Sequence, residues 1–260
     1  MKKYVELAKC ALVSKLQYRT NFLISIVNII IPFVINYVFW TAVFNSSSKE
    51  IIYGYNYSGM ITYIMISNLV CLITNINFAN SVSEDIHSGK LNDFLMKPIN
   101  YIQYKLAKQI GESIPIIILF IFGLGVFVAG TKIDLFTVCL FYFATIIAFL
   151  LNNFIYYCIA VTSFWFTETG YIFWAIQEFI KIISGTVFPL TVLGSRFEMV
   201  SKFMPFQYVV YFPINILLNR VVPGEIFQGI AMQIIWSILL WFIAKYLWNK
   251  GVHKYVAVGG

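Results

Sequence analysis

The chain has 260 residues, of which 60% are hydrophobic, 18% are aromatic and only 11% are charged. This composition excludes a soluble protein and predicts an integral membrane protein, because several apolar stretches are long enough to cross a hydrocarbon core of about 30 Å. The net charge of +7 requires no nucleic-acid partner, since basic residues beside membrane spans set the orientation of such a protein.

Residues 1–20 are polar and amphipathic. Apolar residues recur there every three or four positions, and basic residues lie between them. This pattern predicts a helix in the membrane interface, in contact with lipid phosphates. Such a helix either only fixes the topology of the chain or lies along the membrane as an elbow before the first span.

Six apolar stretches follow, each close to the roughly 20 residues that a spanning helix needs. They cover residues 22–44, 59–78, 110–129, 135–161, 171–193 and 226–248. Six spans place both termini on the same side of the membrane. We interpret residues 1–260 as a single transmembrane domain in an all-α membrane protein.

The basic residues predict the orientation. Most of the 18 Lys and Arg residues lie before the first span, between the second and third spans, or after the sixth. Because loops rich in Lys and Arg remain in the cytoplasm, both termini and residues 80–108 are predicted to be cytoplasmic.

Residues 80–108 are the only sizeable hydrophilic insert between two spans, and a plain connection needs only a few residues. Within this insert, residues 85–98 (the coupling segment) combine a glycine turn, a short helix with an apolar face and a proline stop. Such a helix is either a docking knob for a partner or an element that lies in the membrane interface. The candidate docking residues are Glu84, Asp85, Gly89, Leu91, Phe94, Leu95, Lys97 and Pro98.

Few polar residues interrupt the spans. Asn68 and Asn75 are seven residues apart and share one face of the second span, where they serve either helix packing or substrate contact. Glu178 and Lys181 are three residues apart in the fifth span and are expected to pair. That pair marks either a transport path or a packing contact that is satisfied locally.

The apolar residues 203–218 are too few and too interrupted by proline to span as a regular helix. Pro205 and Pro213 predict a re-entrant hairpin on the outer side, where neighbouring protein must shield the irregular backbone. Aromatic residues of this segment either shield the backbone and line an exit, or anchor the chain at the interface. The candidate outer-gate residues are Pro205, Phe206, Tyr208, Tyr211 and Phe212.

Catalytic chemistry is not indicated. His87 and His253 are the only histidines, and neither has a clustered set of Cys or carboxylate ligands for a metal. The sequence Ser88-Gly89-Lys90-Leu91 lacks the first glycine and the hydroxyl of a phosphate loop. We therefore expect a protein without catalytic, metal-binding or cofactor-binding residues.

Together, the six spans and three sequence segments resemble the permease subunits of ABC-2 type transporters. The segments are DIHSGKLNDFLMKP at 85–98, PL at 189–190 with MPFQYVVYFP at 204–213, and WNKGVHKYVAVGG at the end of the chain. The resemblance covers essentially the whole chain and is closest to a bacterial branch that lacks a fused ATPase.

This resemblance implies a type V exporter-like fold, with an N-terminal elbow helix, a cytoplasmic coupling helix between spans two and three, and outward re-entrant helices between spans five and six. It also implies a bacterial plasma membrane, a separate ATPase subunit in two copies that binds ATP and Mg, and a second permease subunit, identical or related. The expected function is export of an amphipathic or apolar cargo such as a drug, an antimicrobial peptide or a lipid-linked molecule. A stand-alone channel or secondary carrier is the alternative.

Overall fold

A computed structural model describes residues 2–17, 19–74, 78–96, 98–131, 133–166 and 170–255. Over these residues the chain is mainly helical, with one two-stranded hairpin, β1 (Ile51–Ile52) and β2 (Tyr55–Asn56). The α-helices in chain order are α1 (Lys2–Gln17), α2 (Arg19–Ser46), α3 (Tyr57–Thr74), α4 (Phe78–His87), α5 (Leu91–Leu95), α6 (Tyr101–Ala129), α7 (Leu135–Val161), α8 (Gly170–Ile183), α9 (Ser195–Ser201), α10 (Tyr211–Leu217) and α11 (Pro223–Lys254).

Four helical stretches of the described chain are long and apolar enough to cross a membrane. They are Tyr57–His87, Tyr101–Ala129, Leu135–Phe164 and Pro223–Lys254. These stretches contain most of the predicted second span and all of the third, fourth and sixth. The first predicted span, residues 22–44, lies within the 28-residue helix α2. The fold is that of an all-α membrane protein.

The predicted fifth span, residues 171–193, is not one helix. α8 has 14 residues and ends at Ile183, so at 1.5 Å per residue it is ~21 Å long. Gly185 then adopts a φ of +82°, and Pro189 has no N–H with which to continue a helix. The chain leaves the helix there and forms a short 3₁₀ turn, Leu190–Leu193.

Helix α7 lies at the centre of the packing. It contacts α3, α4, α10 and α11, and many of its residues along its whole length are buried. Helix α6, by contrast, buries only one side, because residues such as Ile118 and Phe122 are exposed to the surroundings of the bundle. Such faces suit lipid contact, since each is apolar.

The two ends of the bundle differ. At one end, called the knob end, α5 contacts the start of α6, which stacks on the C-terminal part of α11. At the other, called the hairpin end, the β1–β2 hairpin is hydrogen-bonded to Asn215 of α10 and to Arg220. In the hairpin turn, Tyr53 and Gly54 have φ values of 52° and 81°, as two-residue turns that match the twist of the strands require.

Candidate functional site

The coupling segment folds as two short helices with a sharp turn between them. α4 ends at His87, Gly89 adopts a φ of +76°, and α5 spans only Leu91–Leu95. A positive φ is available to glycine at little cost, so the predicted role of Gly89 in the turn agrees with its conformation. Lys97 lies outside the described residues, and Pro98 follows the helix as predicted.

Asp85 faces the protein rather than a partner. The Lys105 Nζ lies 2.7 Å from Asp85 Oδ2, and the Tyr101 hydroxyl donates a hydrogen bond of 2.7 Å to the same oxygen. The side chains of Lys105 and Asp85 are only 5% and 14% exposed. Lys105 also donates to the Ser81 hydroxyl oxygen, 2.6 Å away. Asp85 therefore fastens α4 to α6, and the expectation that it contacts an ATPase directly does not fit this position.

An aromatic stack continues from this ion pair into α11. The ring of Tyr101 stacks on Trp248 with a centroid distance of 4.6 Å and an interplanar angle of 8°. On its other side, Phe94 of α5 contacts Tyr101 edge-on at 5.4 Å and Tyr104 at 4.6 Å. The short helix α5 is thus joined to two span-length helices, α6 and α11.

The exposed part of the coupling segment differs from the predicted apolar trio. Leu91 is completely buried, and Phe94 is half-buried in the aromatic stack. Leu95 is 45% exposed, and Met96, which sequence reasoning missed, is 80% exposed. The sequence indicated the exposure of Met96 only by its position, at the end of the apolar run and directly before Lys97 and Pro98. Glu84 is exposed and forms an ion pair of 3.1 Å with Lys90.

Helix α1 is attached to the same end of the bundle. A Cβ on Gly111 of α6 would lie only 2.1 Å from the Ala8 carbonyl oxygen, so α1 and α6 touch backbone to backbone there. Lys3 donates a hydrogen bond of 2.9 Å to the Pro98 carbonyl, and the backbone N–H of Asn100 donates to the Tyr4 hydroxyl at 3.1 Å. α1 therefore holds both α6 and the end of the coupling segment.

Three of the four predicted polar residues of the spans are described, and each has a local partner. Asn68 donates to the Ile64 carbonyl of its own helix at 2.8 Å, and Asn75 lies outside the described residues. Lys181 and Glu178 form the predicted pair, with Nζ and Oε1 2.6 Å apart. Both side chains remain partly exposed, at 33% and 43%.

Lys181 also borders a small polar cavity that sequence reasoning missed. Its volume is about 20 Å³, which is room for roughly one water molecule. The polar lining comes from α3, α7, α8 and the residues that follow α8, so no local pattern could reveal it. The polar and thiol-bearing lining residues are Cys71, Thr74, Asn152, Tyr156, Lys181, Ser184 and Thr186.

The candidate outer-gate residues lie together at the hairpin end, in the short helices after α8. Tyr208 and Phe212 are buried, whereas Pro205, Phe206 and Tyr211 are half-buried. Pro213 is the third residue of α10, in the first turn, where a missing N–H costs nothing.

Hydrogen bonds connect the residues after α8 to two neighbouring helices, α3 and α11, and to each other. Tyr63 of α3 donates to the Gly185 carbonyl at 2.6 Å, and the Tyr211 N–H donates to the Ser184 carbonyl at 3.0 Å. Gln233 of α11 donates to the Tyr208 carbonyl at 2.8 Å. The irregular backbone is therefore satisfied by protein partners, as a chain inside a membrane domain requires.

A pocket of about 390 Å³ opens between this segment and the start of α11. Tyr211 and Phe212 form part of its wall, and the Tyr211 hydroxyl donates a hydrogen bond of 2.7 Å to Glu198 Oε1. Its size is within the range of small-molecule sites, about 300–1,000 Å³.

The long apolar helices and the polar ends define a polytopic α-helical membrane protein. Residues 20–259 match the family described as ABC-2 family transporter protein, so the chain belongs to the ABC-2 family of transporters. It is accordingly a permease subunit of an ABC transporter, a transport subunit rather than a catalytic one, and such permeases typically work with an ABC ATPase. No curated protein and no solved structure matches the chain.

Proposed function

We propose that the chain is the permease subunit of an ATP-driven exporter in a bacterial plasma membrane, with six spans and both termini in the cytoplasm. Separate ATPase subunits, in two copies, bind ATP and Mg and dock on the coupling segment. The observation that carries this proposal is the contact network at the knob end, in which a buried ion pair and an aromatic stack join α4 and α5 to α6 and α11.

This network supports a mechanical role for the coupling segment. A displacement of the exposed end of α5 would move Phe94, which contacts Tyr101. Tyr101 in turn contacts both Asp85 and Trp248. Closely packed groups shift between discrete arrangements rather than deform continuously. ATP-driven closure of the docked subunits would therefore move the ends of α6 and α11 as rigid bodies.

The docking surface in this proposal consists of Leu95 and Met96, with Glu84 at its edge. The two apolar side chains are exposed at the C-terminal end of α5 and suit an apolar groove of the ATPase. Leu91 and Phe94 act differently, because they hold α5 against the bundle. Helix α1 is the elbow helix of this arrangement.

One permease chain provides half of a transport path, so a second copy or a related permease completes the transporter. The cargo is an amphipathic or apolar molecule, since the span-length helices contain few charged residues. The segment from Leu190 to Leu217 is the re-entrant outer gate, and its buried Tyr208 and Phe212 separate the cargo path from the outside.

The test is an aspartate at each exposed docking position, Leu95→Asp and Met96→Asp. Tagged chain is purified from the native membrane, and copurifying phosphate-loop ATPase is identified and quantified by mass spectrometry. Each aspartate is expected to lower the recovered ATPase at least about tenfold, because it must lose its hydration on docking in an apolar groove.

The matched control is Met199→Asp, which places the same charge at an exposed methionine of α9 at the opposite end of the bundle. This variant is expected to retain the ATPase. Recovery of the ATPase at the wild-type level with both Leu95→Asp and Met96→Asp, at equal amounts of membrane-inserted chain, would disprove the docking surface.

A further inference from the structure

The pocket at the hairpin end has features that a gate does not need. It carries two acidic and two basic side chains around one opening: Glu198, Glu225, Lys202 and Arg220. A surface that only closes a path would be expected to be apolar, because charged groups keep water and ions bound. The lining instead combines charged, polar and apolar side chains.

Among the described residues, only one pair of these four charges lies within ion-pair distance. Glu198 is fixed by the Tyr211 hydroxyl and forms no ion pair with any residue that the structure describes. Lys202 and Glu225 approach only to 3.8 Å, and both are more than half exposed. Such a long, solvated contact contributes little stability, so a ligand can replace it at little cost.

Arg220 is held in place at the rim. Its guanidinium group lies 3.6 Å above the ring of Tyr55 and donates a hydrogen bond of 2.7 Å to the Gly54 carbonyl. The stacked guanidinium keeps further N–H groups for an anion, and its planar shape suits phosphate oxygens.

The lining also contains polar residues, Thr191, Gln207, Asn215 and Gln228, and several apolar ones. Phe212 is buried, Phe203 is 73% exposed, and Gly229 has no side chain, so the ring of Phe212 occupies the space that a Cβ would need. Glu225 lies in the first turn of α11, which places the opening at the end of a span-length helix. Lipid headgroups lie at that depth in a bilayer.

We propose that this pocket binds a zwitterion of the phosphoethanolamine type that is joined to an apolar chain. The phosphate contacts Lys202 and Arg220, the ammonium group contacts Glu198 and Glu225, and the apolar chain lies along Phe203 and Phe212. Two positive and two negative side chains match a ligand with one charge of each sign better than they match an anionic or a cationic lipid. The binding requires only the pocket and its position at the membrane surface, and not the proposed coupling to an ATPase.

The experiment uses the purified full-length chain in nanodiscs of phosphatidylglycerol. Photoactivatable phosphatidylethanolamine and photoactivatable phosphatidylglycerol with the same acyl chain are added at equal mole fraction, and labelled peptides are quantified by mass spectrometry. Labelling of residues 198–232 is expected to be about tenfold higher with the phosphatidylethanolamine probe than with the phosphatidylglycerol probe. Only the former has an ammonium group for Glu198 and Glu225, and hydrogen bonds between charged groups are stronger than neutral ones.

Two variants test the charges one at a time. Glu198→Gln removes the acidic contact, and Lys202→Gln removes a basic contact from an exposed side chain that supports no folding contact beyond its loose ion pair. Each is expected to lower phosphatidylethanolamine labelling to the phosphatidylglycerol level. The controls are Glu50→Gln and Lys49→Gln, exposed charges beside the β-hairpin, which are expected to leave labelling unchanged.

Millimolar phosphoethanolamine added as a competitor distinguishes the two sources of this chemistry. Competition would show that the free headgroup binds without an apolar chain and would overturn the assignment to a lipid, whereas unchanged labelling would support the membrane lipid. Equal labelling by the two lipid probes, or wild-type labelling in both pocket variants, would overturn the proposal. Neither result would bear on the ATPase, because none is present in the nanodiscs.

Discussion

Lys105 and Asp85 form an ion pair that solvent hardly reaches, and each is the other's main electrostatic partner. Lys105 also contacts Ser81, and Asp85 also contacts Tyr101. A buried pair of this kind is often no more stabilising than an apolar replacement, but removal of one partner leaves an uncompensated charge. The role of this pair is therefore better described as positioning α4 than as stabilising the whole protein.

Lys105→Met is expected to destabilise the chain by about 3–5 kcal/mol, because Asp85 would remain buried without its cation. The measurement is thermal unfolding of the purified chain in detergent, followed by loss of the monodisperse peak in gel filtration. The control Lys90→Met breaks the exposed pair with Glu84 and is expected to cost at most about 1 kcal/mol.

The double variant Asp85→Leu, Lys105→Met provides a sharper comparison. It removes both charges and is expected to be more stable than Lys105→Met alone, since no charge then remains buried. A double variant that is less stable than Lys105→Met would contradict the pairing argument, because the two substitutions would then each destabilise the chain independently.

Gly185 is a second position where one residue decides the local structure. Its φ is +82°, and an added Cβ would lie 2.8 Å from the Tyr63 hydroxyl and 2.9 Å from the Tyr211 Cβ. Gly185→Ala is expected to lower the free energy of unfolding by about 2 kcal/mol or more, from the unfavourable φ and the contact with Tyr63. The same thermal measurement tests this.

Gly125→Ala is the matched control for Gly185→Ala. Gly125 lies inside α6, and among the residues that the structure describes no atom outside its own helix backbone is within 4 Å of the position of a Cβ there. Alanine is favoured over glycine in a helix by up to about 1 kcal/mol. Gly125→Ala is therefore expected to be neutral or stabilising, and a loss as large as that of Gly185→Ala would show that the φ at Gly185 is not the cause.

At the scale of elements, the attachment of α1 to α6 depends on the missing side chain of Gly111. Gly111→Leu is expected to push α1 away, because even a Cβ at this position would lie only 2.1 Å from the Ala8 carbonyl oxygen. The reporter is Ala11→Cys, a buried position of α1, in a background without the native cysteines. Its labelling by a hydrophilic maleimide is expected to be slow in the parent chain and at least about tenfold faster with Gly111→Leu.

The control for this displacement is Gly125→Leu, on the same helix but away from α1. It is expected to leave the labelling of Cys at position 11 unchanged. Fast labelling in the parent chain would mean that α1 does not stay on α6, and slow labelling with Gly111→Leu would mean that the close approach is not required.

At the scale of the whole molecule, the distribution of basic residues predicts the orientation in the membrane. Single cysteines at exposed positions, Ser48 and Ser195, are expected to react with an impermeant reagent on intact cells. Cysteines at Ser88 and His253 are expected to react only after permeabilisation, because the loops rich in Lys and Arg remain in the cytoplasm. Labelling of position 88 on intact cells would reverse the topology.

Several features of the molecule could be determined from the sequence because they depend on neighbouring residues. The predicted fourth span coincides with α7, Leu135–Val161, since long apolar runs identify helices without reference to the rest of the chain. The turn at Gly89 and the helix of residues 1–20 were predicted for the same reason. The membrane class followed from composition alone.

Only the tertiary structure decided which groups face each other. The sequence placed Asp85 and Leu91 on an exposed docking face, but Asp85 meets Lys105 and Leu91 is buried. Helix α8, in the predicted fifth span, ends at Ile183 although the apolar run continues. It ends there because Gly185 turns the chain into contact with Tyr63. Hydropathy measures each residue's preference for lipid or protein over water, whereas contacts between distant residues depend on how helices pack, and that packing is a property of the whole chain.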